Sequence, residues 1–226
     1  MNFDSLHDNT HCMKYYPICL NIFKKKCVVV GGGDVAERKV TRLLEAGADV
    51  EVVGKILTQE LETMKSEGKI RHVAADYRED FINEAFLVIG ATDRDDVNER
   101  IYLDAKKKGI IVNIVDSPDR CDFTLPSIVQ QGDLQIAIST GGKSPALAKK
   151  LRKEMQGSYG SEYRILLDIM GQVREKVVIR GHPYEENKRL FEALLNSKII
   201  QYIREKNWGE VKKIIGDIAG EDIDLE

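Results

Sequence analysis

The stretch Cys27-Val28-Val29-Val30-Gly31-Gly32-Gly33-Asp34-Val35-Ala36 decides the fold of this 226-residue chain. An apolar run typical of a buried strand ends at consecutive glycines, and a helical pattern begins directly after them. Gly31, Gly33 and Ala36 match the G-x-G-x-x-G/A spacing of a dinucleotide-binding turn. Such a turn lets a pyrophosphate approach the backbone at the second glycine, and it presents free N–H groups at a helix N-terminus.

Apolar strands alternate with amphipathic helices through the first half of the chain. Strands are predicted at Lys26–Val30, Val50–Val53, Ile70–Ala74, Phe86–Ala91 and Ile110–Val115. Helices are predicted at Asp34–Ala46, Leu57–Glu67 and Val97–Lys108. This βαβ alternation predicts an α/β fold built on a Rossmann-like, doubly wound parallel sheet.

Polar clusters follow three of the predicted strands. They are Gly31–Val35, Thr92-Asp93 and Asp116. Because ligands of doubly wound sheets bind outside the carboxyl ends of the strands, we expect these clusters to converge on one crevice. Thr92-Asp93 is equally consistent with a turn or with the N-cap of the following helix.

The end of the second strand lacks a common feature of dinucleotide sites. Val53-Gly54-Lys55-Ile56 carries no Asp or Glu that could bind the ribose hydroxyls. Adenosine recognition would then rest on backbone and apolar contacts around Lys55 and Ile56. Lys55 could also bind a phosphate, so the residues leave both NAD and NADP open.

The second half of the chain departs from this pattern. Ser127–Gln130 and Leu134–Ser139 form short runs separated by Gln131-Gly132-Asp133, which is a hairpin signal. A hairpin is too small to be stable alone, so it is expected to pair with another sheet or another subunit. Helical patterns follow at Ala146–Gln156, Glu162–Ile179 and Pro183–Leu195.

A second glycine-containing loop precedes these helices. Ser139-Thr140-Gly141-Gly142-Lys143 combines hydroxyl groups, glycines and a cation, as anion-binding turns do. The alternative is a capped helix start, with Ser144 as N-cap and Pro145 at the first helical position. The loop favours a ligand contact, and its residues are candidate substrate-binding groups.

Composition excludes several classes of protein. The net charge of −3 gives no general attraction to nucleic acid or to anionic membranes. The apolar runs are too short to span a bilayer, and the N-terminus does not resemble a signal peptide, so a cytoplasmic protein is expected. His7, His11 and Cys12 lie on a predicted disordered tail, and no metal site is expected.

Four segments in succession resemble one family. They are Val28–Lys39, Gly90–Asp93 with Asn98, Val112–Pro118 and Ile138–Pro145. Together they resemble precorrin-2 dehydrogenase, the siroheme synthase dehydrogenase/ferrochelatase module, and the resemblance runs from about Tyr15 to Arg152.

The resemblance implies NAD-dependent oxidation of precorrin-2, a tetrapyrrole, to sirohydrochlorin. It also implies insertion of Fe²⁺ in some members, and a homodimer that shares the hairpin segment. The family's NAD contacts correspond to Asp34, Val35, Lys55 and Ile56, and its essential aspartate to Asp116, a candidate general base. The domains would be a tail (1–13), an NAD-binding domain (14–116), a dimerisation hairpin (117–143) and a helical domain (144–226).

Two other functions remain open at this stage. One is another NAD(P)-dependent oxidoreductase acting on a small substrate. The other is a regulatory domain that senses a nucleotide without catalysis, which would need no acid at the fifth strand and no Ser139–Pro145 loop.

Overall fold

A computed structural model of the chain describes residues 15–179, 181 and 183–220. The chain divides into two compact units, Met1–Leu125 and Pro126–Glu226. The predicted tail and its His7, His11 and Cys12 lie outside the described residues, and the predicted domain boundaries at 116 and 143 stay predictions. None of the helices in the described ranges is both long and apolar enough to cross a bilayer.

Five parallel strands form the sheet of the first unit: β1 (Lys26–Val30), β2 (Asp49–Val53), β3 (Ile70–Ala74), β4 (Leu87–Gly90) and β5 (Ile111–Ile114). Their spatial order is β3-β2-β1-β4-β5. The chain moves outward from β1 to β3 and then returns to the other side of β1, which creates a switch point between β1 and β4. This order confirms the predicted doubly wound sheet.

Helices cover both faces of this sheet: α1 (Asp34–Glu45), α2 (Gln59–Ser66) and α3 (Asp95–Lys108). Residues of β1 alternate between two cores. Cys27 and Val29 pack in the core that contains buried residues of α1 and α2, whereas Val28 and Val30 pack in the core that contains those of α3. A strand buried on both faces is apolar, as β1 is at every position after Lys26.

The helix ends follow from local chemistry. α1 buries Ala36, Val40 and Leu43 along one face, and Gly47 follows it in the left-handed region with φ +72°. α2 begins two residues later than predicted, because Thr58 is its N-cap and accepts a hydrogen bond from the Leu61 N–H at 3.2 Å.

The second unit begins with an antiparallel hairpin, β6 (Ser127–Gln131) and β7 (Leu134–Ile138), which turns at Gly132 with φ +59°. Five helices follow: α4 (Pro145–Ser158), α5 (Glu162–Ile179), α6 (Tyr184–Asn196), α7 (Ile199–Arg204) and α8 (Trp208–Ala219). The last four share one apolar core, whose members include Leu166, Ile169, Leu194 and Ile215. The hairpin and the helical character of this half are as predicted.

Candidate active site

The glycine turn after β1 is wedged between the turns that follow its neighbouring strands. Gly31 has φ +135° and donates its N–H to the Val53 carbonyl at 2.8 Å. A Cβ on Gly31 would collide with the Ala91 carbonyl, which follows β4. Glycine is therefore required at position 31, both by the positive φ and by the close backbone packing.

Gly32, to which the motif assigns no role, is held as tightly as Gly31. A Cβ there would collide with the Ile56 carbonyl, and the Gly32 carbonyl accepts a hydrogen bond from the Thr58 N–H at 2.9 Å. Gly54 meets the same turn, because a Cβ on it would lie 3.1 Å from the Gly31 carbonyl carbon and from the Gly32 nitrogen. Glycines at both strand ends are the sequence signal for this packing.

Gly33 differs from the two glycines before it. A Cβ on Gly33 would meet no atom within 4 Å, and Gly33 is the N-cap of α1 without any side-chain cap. The start of α1 therefore combines open space, a positive dipole end and N–H groups that no capping side chain occupies. These features fit the pyrophosphate of a dinucleotide, and Asp34 and Val35 open the helix beside them.

The turn after β2 carries Lys55 and Ile56, both exposed, with 80% of Ile56 accessible to solvent. His72, a residue of β3 to which the sequence pattern gave no role, holds this turn in place. The Nε2 of His72 on β3 lies 2.8 Å from the Gly54 carbonyl oxygen, so the ring must donate its N–H there. The Gly54 N–H donates to the Ala74 carbonyl at 2.9 Å.

Thr92 stabilises the turn between β4 and α3. Its Oγ1 accepts a hydrogen bond from the Arg94 N–H at 3.1 Å and donates to Asn98 Oδ1 at 3.0 Å. The buried Asn98 returns a hydrogen bond from Nδ2 to the Thr92 carbonyl at 3.0 Å. The N-cap of α3 is Arg94, so neither Thr92 nor Asp93 fills the capping position that one alternative gave them. Asp93 is exposed at this turn.

Asp116 follows β5 and is exposed, with φ +61°. This left-handed conformation is uncommon for a residue other than glycine, although Asp tolerates it better than most. The half-buried Lys39 of α1 faces this region. Burial and the nearby Arg38 lower the pKa of the Lys39 ammonium, while the fields of Asp116 and Cys121 raise it.

The sheet brings the candidate residues of the first unit to one edge. Val30 pairs with Val53 and with Gly90, and Gly90 pairs with Ile114, so β1, β2, β4 and β5 end side by side. The polar groups that follow these strands therefore share the carboxyl edge of the sheet, while their convergence on one crevice stays a prediction.

The candidate substrate loop, 139–143, belongs to the second unit and is bonded internally. The Thr140 Oγ1 accepts a hydrogen bond from the Ser144 N–H at 3.2 Å and donates to the Ser144 carbonyl at 3.1 Å. The Ser144 Oγ caps α4 by accepting from the Leu147 N–H at 3.2 Å. Gly141 and Gly142 have φ +60° and +82°, and Lys143 is exposed. The helix-capping alternative is thus present, while the ligand contact stays a prediction.

Comparison with known proteins identifies both units. A family model described as putative NAD(P)-binding matches residues 18–127, and one described as sirohaem biosynthesis protein central matches residues 131–158. A siroheme synthase of Actinobacillus succinogenes is 36% identical over 89% of this chain and 42% of its own length. One of Nitrosococcus oceani is 38% identical over 84% of this chain and 41% of its own length.

The chain therefore spans about two fifths of the length of these relatives. A solved structure titled SirC, precorrin-2 dehydrogenase, covers 88% of this chain and 100% of its own, with a TM-score of 0.73 and 22% identity. That likeness confirms the fold. With both domain models matched in succession, and with siroheme synthases aligned along most of its length, the chain belongs to the siroheme synthase family in its NAD(P)-binding and central domains.

Proposed function

We propose that this protein oxidises precorrin-2 to sirohydrochlorin with NAD⁺ as the oxidant. The observation that carries the proposal is the edge shared by two features: the open, uncapped start of α1 at Gly33, and Asp116 at the tip of β5. Relatives named siroheme synthase and a structural neighbour titled precorrin-2 dehydrogenase support the choice of substrate.

The chain's own residues divide the work between binding and proton transfer. The amides at the start of α1 would hold the pyrophosphate, and Lys55 and Ile56 would flank the adenosine. Bound NAD⁺ would supply the acceptor for the two electrons and one hydrogen that the macrocycle loses. The other hydrogen leaves as a proton, and the exposed carboxylate of Asp116 would accept it.

The substrate contacts belong to the same proposal. Precorrin-2 carries several carboxylates, so cationic and N–H groups are the appropriate partners for it. Lys143 and the hydroxyl and glycine groups of 139–142 would supply them. Insertion of Fe²⁺ into sirohydrochlorin is a second candidate activity, favoured by the name of the relatives, in which Asp116 would receive the pyrrole protons.

A homodimer is also part of the proposal. The β6–β7 hairpin has only two strands, so each strand keeps one edge without a strand partner in the part of the chain that the structure describes. Helix α4 already packs against β6, and a second copy would pair with the edges that remain. Sedimentation equilibrium measures the oligomeric state directly, and a monomer at all concentrations would contradict the homodimer.

The cytoplasmic location of the protein remains a prediction.

The test is an anaerobic assay with purified protein, NAD⁺ and precorrin-2. We expect NADH absorbance at 340 nm to rise together with the sirohydrochlorin spectrum, at one NADH for each macrocycle oxidised. Asp116→Asn should keep NAD⁺ affinity, because the cofactor contacts lie elsewhere, and should lose at least about 100-fold in kcat. Tight NAD⁺ binding without turnover by the wild-type protein would favour a sensor.

A separate assay addresses metal insertion. Sirohydrochlorin and Fe²⁺ are mixed with the protein in the absence of NAD⁺, and the siroheme spectrum is followed against a protein-free control. Acceleration over the control would support the second activity, and equal rates would remove it while leaving the dehydrogenase proposal intact.

A further inference from the structure

The outer edge of the sheet beside Asp116 is closed by the chain that follows it. β5 is an edge strand, and Asn113 on β5 forms an antiparallel bridge with Cys121. The Asp122 N–H donates to the Val112 carbonyl at 2.8 Å, and the Asp122 carboxylate accepts from the Val112 N–H at 3.1 Å. The returning chain thus satisfies backbone groups that an edge strand otherwise leaves to water.

The side chains of Asn113 and Cys121 hold the returning chain against β5. Asn113, only 8% exposed, donates through Nδ2 to the Phe123 carbonyl at 2.8 Å and to the Cys121 Sγ at 3.4 Å. The Cys121 Sγ lies 3.1 Å from the Ile114 carbonyl oxygen and 3.2 Å from that of Ser117. The thiol therefore links the end of β5 to the far side of the loop that leaves it.

Asp116 lies inside the loop that these contacts close. Its φ of +61° lies in the left-handed region, which costs a residue with a side chain up to about 1 kcal/mol and Asp less than most, so the surrounding contacts help to hold it there. The single S–H of Cys121 lies within hydrogen-bond distance of two carbonyls, those of Ile114 and Ser117, and is shared between them. These two carbonyls flank Asp116 on both sides. The loop is therefore held from two points close to the strained residue.

We propose that Asn113 and Cys121 are positioning residues that fix Asp116 in the orientation needed for proton transfer. The inference rests on the proposed function, because it takes Asp116 as the proton acceptor. A base must lie within hydrogen-bond reach of the proton it removes, and a displacement of about 1 Å lowers the rate by about 100-fold. Neither residue needs to touch the substrate to have this effect.

The test compares Cys121→Ala with Cys121→Ser. Alanine removes the donor to the two carbonyls, whereas the serine hydroxyl retains one. We expect Cys121→Ala to lower kcat for NADH formation about tenfold or more, and Cys121→Ser to restore most of that loss. The KM and Kd for NAD⁺ should stay at wild-type values in both. A crystal structure of Cys121→Ala should show Asp116 leaving its left-handed conformation.

Two further variants complete the design. Cys27→Ala removes a fully buried thiol from β1, so it should lower the melting temperature while kcat stays unchanged. Asn113→Leu keeps the branched shape in a larger side chain, removes both donated hydrogen bonds and should lower kcat more than Cys121→Ala does. If Asn113→Leu does not fold, the comparison of Cys121→Ala with Cys121→Ser is sufficient to test the positioning role.

The outcomes separate this inference from the function beneath it. A wild-type kcat in Cys121→Ala, or a serine variant as impaired as the alanine variant, would overturn the positioning role and leave the dehydrogenase intact. Absence of turnover by the wild-type protein would overturn the proposed function and the inference together.

Discussion

The two glycine turns of this molecule look alike in sequence and differ in structure. In the first unit, Gly31 and Gly32 are packed so closely that a Cβ on either would strike a backbone carbonyl. In the second unit, Gly141 and Gly142 have open space around them, and only their positive φ angles favour glycine. The first turn is a packing element of the fold, whereas the second is a local turn.

The helices that follow these two turns differ in how their N-termini are capped. Gly33 begins α1 without a side-chain cap, whereas the Ser144 hydroxyl caps α4. Because a capping oxygen already satisfies an N–H of α4, the start of α1 is the better place for an anion. A glycine-rich turn before a helix is therefore insufficient by itself to define a phosphate site. The first N–H groups of the helix must also be free of a capping side chain.

The largest expected effect comes from Gly32→Ala. The Ile56 carbonyl belongs to a turn that is itself bonded to Gly32 through the Thr58 N–H, so neither side of the contact can move easily. We expect a loss of about 3 kcal/mol or more in the free energy of unfolding, measured by urea denaturation. A loss under about 1 kcal/mol would show that the turn is far more compliant than its contacts indicate.

Gly33→Ala is the matched control and the next largest effect. Its φ of −86° suits any residue and its Cβ position is open, so stability should fall by no more than about 1 kcal/mol, the cost of alanine at an N-cap. NAD⁺ affinity should nevertheless fall about tenfold or more, equivalent to about 1.4 kcal/mol, because the methyl group occupies the pyrophosphate's approach. Calorimetric titration measures this, and an unchanged Kd would place the cofactor elsewhere.

Gly142→Ala tests the second turn. Its φ of +82° makes alanine unfavourable by about 1 kcal/mol, with no collision to add to that. Gly157→Ala is the control, since Gly157 lies inside α4 and its Cβ position is open. That variant should be slightly stabilising. Thermal denaturation distinguishes them, and a loss at Gly142 as large as that at Gly32 would remove the contrast between the turns.

Ser144→Ala gives the smallest expected effect in this series. Loss of the cap on the Leu147 N–H should destabilise the second unit by about 0.5–1 kcal/mol. NAD⁺ binding, which the account assigns to the first unit, should not change. A measurable drop in NAD⁺ affinity in titrations of this variant would mean that the α4 start takes part in the cofactor site.

The doubly wound parallel sheet and most elements of the fold were predictable from sequence, because β4 and the residues of β1 after Lys26 are apolar and lie between turn signals. Element limits were less accurate where a side chain sets them. Thr58 caps α2 and delays its start, and α3 begins at Asp95, earlier than its apolar pattern at Val97 indicates. Periodicity reports which face is buried, whereas caps depend on individual hydrogen bonds.

The candidate site was predictable only in part, for a related reason. Gly33 and Asp116 follow strands that sequence patterns identify, so their place at the sheet edge could be deduced. The contributions of Gly32, His72 and Cys121 depend on contacts between separate turns or with the returning chain. Gly32 and Ile56 lie 24 positions apart in the chain, and no local sequence pattern encodes their contact.

A crystal structure of the protein with bound NAD⁺ tests the central claim most directly. We expect the pyrophosphate to lie against the open backbone at Gly33, at the uncapped start of α1, with the nicotinamide ring reaching the edge of the sheet beside the Asp116 carboxylate. A dinucleotide bound away from the α1 start, or a nicotinamide remote from Asp116, would contradict the account.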